Sequence, residues 1–517
     1  MKRDVSRRSV IAGAAVTAVG ALVGGGRTAQ ASTGAVGGAA GKVTAVVRVT
    51  VIDATGRPAA RDMTVLVRGE RIVAVGPVRS VPVPAGATVV DGTGKFLIPG
   101  LVDMHVHSTE LERTYPPLYL ANGVTTVREM SANPAISSWR REVEAGTRLG
   151  PRYVIGSRMI DGAPSLWEGI GPPFVSVAGP EQARAAVRQE KAAGADFIKT
   201  YTRLSRASFL ALADEARRQR IPILGHVPDF VRFTEASDAG LRTIEHLSAV
   251  WYNTSDQERK LRQAIAAVPI GPGEYAGWYN RMHPVEYAAA RSYDRRKAAR
   301  VFDRLARNQT RLTPTLTNHR VVDTPSSVRT DDPRHRYFPA QIRQLWEMTM
   351  REVYLKDRPA EQAASRRELF ERRLRLVAEL DRAGVPLLAG TDTGTSYVMP
   401  GFGLHDELEL LSQAGLSGMS ILRAATLEPA RQLGLRDHGT VERGKVADMV
   451  LLDADPLRDI RNTTRINAVF VRGRLIDRAQ RQRMLDDVIT AAREPVPAAA
   501  RVAGCACHPS ASHALHH

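Results

Sequence analysis

Cysteine is almost missing from this chain. Only Cys505 and Cys507 occur, both close to the carboxyl end, which excludes a disulfide framework and a cysteine-built zinc fold for the body of the protein. Aromatic residues make up only 5%. Acids are short against bases, 54 to 72, for a net charge of +18. No zinc-finger spacing or aromatic–basic pattern accompanies that excess. The arginines are scattered along helical surfaces, so the charge reads as compositional bias and no nucleic-acid partner is expected. Long apolar runs are also missing. The most apolar stretch follows Ser6-Arg7-Arg8 and is too weakly hydrophobic for a stable membrane span.

What is present starts with that segment. Ser6-Arg7-Arg8, an Ala/Val/Gly stretch and then Ala29-Gln-Ala31 resemble a twin-arginine signal with a small-residue cleavage site. Residues 1–31 are therefore expected to be an export signal read by the twin-arginine machinery, giving an extracellular or cell-envelope location. Residues 32–42 are Gly/Ala-rich and read as a linker. The tail 481–517 is expected to begin as a helix and end without order. Its Cys505-Ala-Cys-His508, His513, His516 and His517 could bind stray metal but lack fixed tetrahedral spacing.

The 517 residues allow one large domain and a smaller one. Residues 43–96 hold short β-like runs separated by turn signals such as Asp91-Gly92, and a second β-like block fills 436–480. The two predict one small β-sandwich built from both chain ends. Between them, over 97–435, eight apolar strand-like runs alternate with helical patterns, which predicts an α/β fold, a (β/α)8 barrel. Two connections, about 248–311 and 317–384, are too long for a minimal barrel and read as charged helical insertions. Trp251, Trp278 and Trp346 lie in them, either as parts of lids over the site or as packing for the extra helices.

In such a barrel the chemistry sits at the carboxyl ends of the strands, and the chemistry-bearing residues fall there. Leu97-Ile-Pro-Gly-Leu-Val-Asp-Met-His-Val-His107 ends in His105 and His107. Residues two apart on a strand share a face, so both imidazoles can reach one metal ion. Alone, the pair is a weak signal that also allows two surface histidines. Lys199, in Phe197-Ile-Lys-Thr-Tyr201, sits in an apolar run where a lysine is costly unless paired or neutralised. It is either salt-bridged or carbamylated by CO2 into a carboxylate able to bridge two cations. His226 ends Pro222-Ile-Leu-Gly-His226, His246 ends Thr243-Ile-Glu-His246, and Asp392 follows Leu387-Leu-Ala-Gly390, with Gly390 and Gly394 leaving room for close neighbours.

This order, HxH, Lys, His, His, Asp after strands one, four, five, six and eight, resembles the amidohydrolase superfamily over nearly all of 43–478. Supporting phrases are Gly123-Val-Thr-Thr-Val-Arg128, Ala424-Ala-Thr-Leu-Glu-Pro-Ala430 and Gly439-Thr-Val-Glu-Arg-Gly-Lys-Val-Ala-Asp448, with Glu428 where the family usually has Asn. The branch with imidazolonepropionase-like, prolidase-like and ochratoxinase-like members is the most similar. The resemblance implies two Zn2+ ions bridged by carbamylated Lys199, one held by His105, His107 and Asp392, the other by His226 and His246. It also implies attack by a metal-bridging hydroxide, with Asp392 as the proton carrier. The expected reaction is hydrolysis of C–N bonds in small substrates, dipeptides or N-acyl amino acids. Cyclic amides, lactones or phosphotriesters on the same centre are the alternative, and a metal-free binding protein the least favoured one. The family often forms symmetric assemblies, so a homo-oligomer is a further expectation. Tyr201, on the face of Lys199, could donate a hydrogen bond to substrate or simply pack. Arg128 and His405 are candidates for binding a substrate carboxylate, or are structural donors.

Overall fold

The computed structural model describes residues 42–168, 173–271, 275–356 and 358–496. The segment expected to be an export signal, most of the expected linker and the Cys/His tail lie outside them. No described helix is long and apolar enough to cross a membrane.

Both chain ends meet in one mixed sheet of eight strands. Val43–Val51, Ala60–Arg68 and Arg71–Pro77 form an antiparallel meander, and Thr88–Asp91 and Phe96–Pro99 lie parallel to the first of these. Phe96–Pro99 then pairs antiparallel with Met449–Leu452, which continues through Ile466–Val471 to Arg474–Ile476. The expected sandwich is thus a single continuous sheet. It curls back on itself, because Arg71 bridges Val446 and Ile72 exchanges backbone hydrogen bonds with Gly444 and Lys445. The enclosed apolar cluster, including Val46, Val65, Leu97, Met449, Leu451 and Phe470, is separate from the main core.

The barrel is built from parallel strands β1 (Leu101–Val106), β2 (Val124–Glu129), β3 (Arg152–Gly162), β4 (Phe197–Thr200), β5 (Ile223–Gly225), β6 (Leu241–Glu245) and β7 (Arg311–Thr313). Every residue of β1, β2 and β4 is buried, as expected for parallel strands covered on the outside and packed within. The sequence run 97–106 divides at Gly100. A side chain there would put its Cβ 2.2 Å from Thr125 Oγ1, and the preceding half pairs in the small sheet while the following half enters the barrel.

Closure falls to residues 386–393, which make bridges rather than a regular ladder. Leu387 pairs with Leu312 on one side and Thr393 with Val106 on the other. Leu388 N donates to Leu312 O, Met104 N to Ala389 O and Asp392 N to His105 O. A four-residue strand Phe174–Val177, unforeseen from the sequence, adds in parallel to the end of β3.

Both long connections are helical. The first contains Ser248–Thr254, Glu258–Ala267, α1 (Tyr275–Arg291) and Arg295–Arg307. The second contains α2 (Leu316–Asp323), Ala340–Thr349 and α3 (Gln362–Arg382).

Candidate metal centre

The carboxyl ends of the barrel strands bring the residues read from the sequence into one cluster, with His105, His107, Lys199 and Asp392 buried and His226 and His246 half-buried. His105 and His107 project from β1 with ring centroids 5.3 Å apart. Asp392 Oδ1 lies 3.4 Å from the Nε2 atoms of both. Two donors each about 2.1 Å from a tetrahedral zinc ion stand about 3.4 Å apart, so these three atoms have the spacing of ligands around one cation. The His246 ring lies 5.0 Å from His105, and His226 lies 4.8 Å from His246.

Close backbone packing makes this convergence possible. A Cβ on Gly390 would meet Thr313 Cγ2 at 2.5 Å and His105 N at 2.9 Å. Gly394, at φ +109°, similarly approaches the His107 carbonyl. His246 and Asp392 themselves sit at φ 66° and 60°, a costly conformation for residues with a side chain and one that concentrates at functional sites.

The imidazoles are oriented from behind. His105 Nδ1 donates to Glu245 Oε2 at 2.7 Å, which turns Nε2 toward the centre as a lone-pair donor. His246 Nδ1 is 2.7 Å from Thr315 Oγ1, whose own proton goes to the Pro314 carbonyl. Thr202 Oγ1 holds His226 Nδ1 at 2.9 Å. Burial brings His105 down to about 3, against the pull of Asp392, and holds His107 and His226 below the usual imidazole range. All three are therefore neutral, the form that ligates metal. Burial opposes charge on Asp392 as well, but the imidazoles around it, with a hydrogen bond from His107, hold its carboxyl below the usual range.

Lys199 enters from β4, fully buried, with its backbone N–H on Ser157 Oγ at 2.9 Å. Its Nζ has no hydrogen-bond partner among the described residues, and neither do His105 Nε2 and His226 Nε2. Three buried polar atoms of one cluster thus lack the partners that burial ordinarily demands. The donor set, neutral imidazoles with carboxylate oxygen, is that of a zinc site, and these residues fit such a group.

Two sequence expectations are corrected. Arg128 does not face substrate. It is fully buried inside the barrel, with Nε on the Met104 carbonyl at 2.6 Å, Nη1 on Thr243 Oγ1 at 2.9 Å and Nη2 on Glu245 Oε1 at 2.7 Å. Burial opposes charge on Glu245, but Arg128 and the bond from His105 hold its carboxyl well below the usual range. His405 lies on the buried face of Phe402–Gln413, tied to Thr463 Oγ1 at 2.9 Å and the Asn122 carbonyl at 3.1 Å. Both are structural.

Other functional candidates escaped sequence reading. Glu245 sits inside the Thr243-Ile-Glu-His246 phrase, but two of its three partners, His105 and Arg128, come from other strands. Asn318 donates to Asp392 Oδ2 at 2.6 Å, and His319 stands edge-on to His246 with centroids 6.1 Å apart. Their signal was a pair of polar residues just beyond strand seven.

A cavity of about 110 Å³ opens against this cluster. His226, His246 and Asp392 form its floor, with Tyr201, whose ring lies 4.3 Å from that of His226. Much of the remaining lining comes from the insertions: Trp278, Tyr279 and Met282 of α1, Asn318 and His319 of α2, and Arg366 of α3. Trp278 is therefore a wall residue. Trp251 instead packs on Tyr293, and Trp346 on Phe338 and Tyr397.

The amidohydrolase family profile matches residues 96–476. No curated protein matches the chain. Among solved structures the chain is similar to a bottromycin amidohydrolase, at 24% identity and TM-score 0.69, covering 87% of this chain and 90% of that one. It is similar also to a putative prolidase from Bifidobacterium longum, at 24% identity and TM-score 0.61 over 87% and 99% of the two chains. A third is A. niger ochratoxinase, at 19% identity and TM-score 0.59 over 84% and 96%. At these identities the structures establish the shared fold.

Proposed function

Since the chain belongs to the amidohydrolase family, whose members are hydrolases of carbon–nitrogen bonds and generally metal-dependent, we propose that it cleaves the amide bond of dipeptides or N-acyl amino acids at a binuclear centre. His105, His107 and Asp392 would hold one cation and His226 and His246 the second. Lys199, carbamylated by CO2, would join them. Zn2+ bound there would supply Lewis acidity and a water deprotonated near neutral pH.

The observation that carries this reading is Lys199: a fully buried amine whose Nζ has no hydrogen-bond partner among the described residues, close enough to act on His105 and His226, which lack such partners at Nε2. An ammonium in that place is expensive. Conversion to a carbamate removes the positive charge and provides two oxygens for cations.

The remaining work falls to the chain's own groups. Asp392 takes the proton of the attacking water on its carboxylate and returns it to the leaving nitrogen. Asn318, at 2.6 Å from Oδ2, keeps that carboxylate oriented. Tyr201, stacked on His226, borders the reacting face of the cavity, and Trp278 and Met282 give the substrate an apolar wall that displaces water. Similar structures named as a prolidase and a bottromycin amidohydrolase are a reason to begin with peptide-like amides.

The test is product analysis by mass spectrometry. Zinc-loaded mature protein is incubated with a pool of dipeptides, N-acyl amino acids and cyclic amides, with Asp392→Asn as the blank. Release of free amino acids, slowed at least about a hundredfold in the variant, is expected. Ring-opened products alone, or no products, would overturn the peptide reading, and near-normal rates in Asp392→Asn would remove that residue from proton transfer.

A further inference from the structure

The buried face of α3 has an unusual composition. Its inward stripe runs through Arg366, Leu369, Arg373, Leu376, Val377 and Leu380. Positions at this spacing normally carry apolar side chains, yet two are arginines only 1% and 0% exposed. Arg373 is accounted for. Its Nη2 lies 2.8 Å from Glu286 and its Nε 3.0 Å from Asp323. Arg366 is not matched in the same way. Its Nη2 donates to Asn280 and Gln362 side-chain oxygens at 3.1 and 3.2 Å, while the nearest carboxylate, Asp323, stands 3.8 Å away through Oδ1 and is shared with Arg373, which holds Oδ2. Its Nε has no hydrogen-bond partner.

The surrounding charges sharpen the imbalance. Arg358 adds a third guanidinium, with Nε and Nη2 also lacking partners, and burial together with Arg366 brings it down to about 10. Among the described residues, three guanidinium groups thus face the two carboxylates of Asp323 and Glu286. The four acids that line the cavity are each engaged elsewhere, Glu286 by Arg373, Asp229 by Arg203 at 3.1 Å, Glu245 by Arg128, and Asp392 by His105 and His107. Keeping a buried cation short of a counter-ion is costly, and Arg366 borders the same cavity as His226, His246 and Asp392.

We infer that Arg366 is the anchor for a carboxylate of the substrate, binding it at the part of the cavity wall built by the helical insertions. This rests on the amide-hydrolase reading and narrows it to anionic substrates. A guanidinium presents paired donors that match a carboxylate, and the ring of Tyr279, 5.0 Å from the Arg366 centre, keeps its plane in place. The carboxylate can belong to the leaving amino acid or to the acyl part. α3 would thereby select substrates although it contributes nothing to the reacting atoms.

The test compares N-acetyl-L-phenylalanine, its carboxamide and N-succinyl-L-phenylalaninamide on zinc-loaded full-length mature protein, wild type beside Arg366→Gln. Wild type should prefer a carboxylate over the uncharged amide by about 10- to 100-fold in kcat/KM, mainly through KM, in line with a charged hydrogen bond. Which carboxylate is preferred identifies the end that is anchored. In Arg366→Gln that preference should fall to near one. A preference that survives in the variant, or none in wild type, overturns the anchor. Arg366→Lys covers the case in which the glutamine variant does not fold. It keeps the charge without the fork and should lose most of the preference, with thermal melting confirming the fold. If wild type cleaves none of the three, the amide-hydrolase reading fails, and calorimetric binding of the same compounds decides the anchor alone. Tighter binding of the carboxylates by wild type, lost in the variant, supports it, and equal binding overturns it.

Discussion

Glu245 joins two requirements in one side chain. It receives hydrogen bonds from Arg128, Thr243 and His105, each at 2.7 Å, so it neutralises a buried guanidinium and aims a candidate ligand. Glu245→Gln should destabilise the fold by about 3–5 kcal/mol, because Arg128 is left buried without a counter-charge. It should also weaken metal binding about 10- to 100-fold, the usual effect of losing such a support. Urea denaturation and a chelator competition titration check the two parts. A variant of unchanged stability and unchanged metal affinity would show that the relay is ornamental. This residue also marks how far sequence reading reaches. His105, His107, Lys199, His226, His246 and Asp392 were legible because each stands at the end of a strand-like run, a local property. Glu245, Asn318 and Arg366 matter through neighbours far away in sequence, and no local pattern encodes those meetings. Arg128 and His405 were misread for the same reason. A charged or titratable side chain near a strand end does not disclose whether it points into the cavity, into the barrel or toward a neighbouring helix.

At the level of elements, closure of the barrel is the sensitive point. Residues 386–393 seal β7 to β1 with few bridges, and Gly390 lets His105 and Thr313 approach without room for a methyl group. Gly390→Ala should therefore cost about 1–3 kcal/mol through overpacking, and it should displace β1 enough to lower metal affinity as well. Denaturation midpoints and metal titration on the same variant test this. Full stability with native metal binding would mean that the strands part without consequence. The alternation of strands and helices was readable because period-2 and period-3.6 patterns are local. The bounds of the elements were less so. One apolar run became two strands at Gly100, and strand eight became a set of bridges, because pairing partners rather than propensity decide where a ladder starts and stops. The insertions were legible as helices. Which of them borders the cavity was not, since only Trp278 among their three tryptophans turns toward it.

For the whole molecule, a strand of the small sheet runs directly into the first strand of the barrel, so one chain segment, 96–106, ties the two together. The joining of both chain ends could be read from two β-like blocks that neither alone could form a domain. The single curled sheet, rather than two stacked ones, depends on the pairing of Arg71 and Ile72 with residues 444–446 and is a tertiary fact. The central claim, a binuclear centre bridged through Lys199, is most directly tested by counting metal. Protein produced with zinc available and truncated after Ala500, so that the Cys/His tail contributes nothing, is analysed for bound metal beside its Lys199→Ala variant. The account predicts two ions per chain in the parent and at most one in the variant. A parent without metal, or equal occupancy in both proteins, would contradict it.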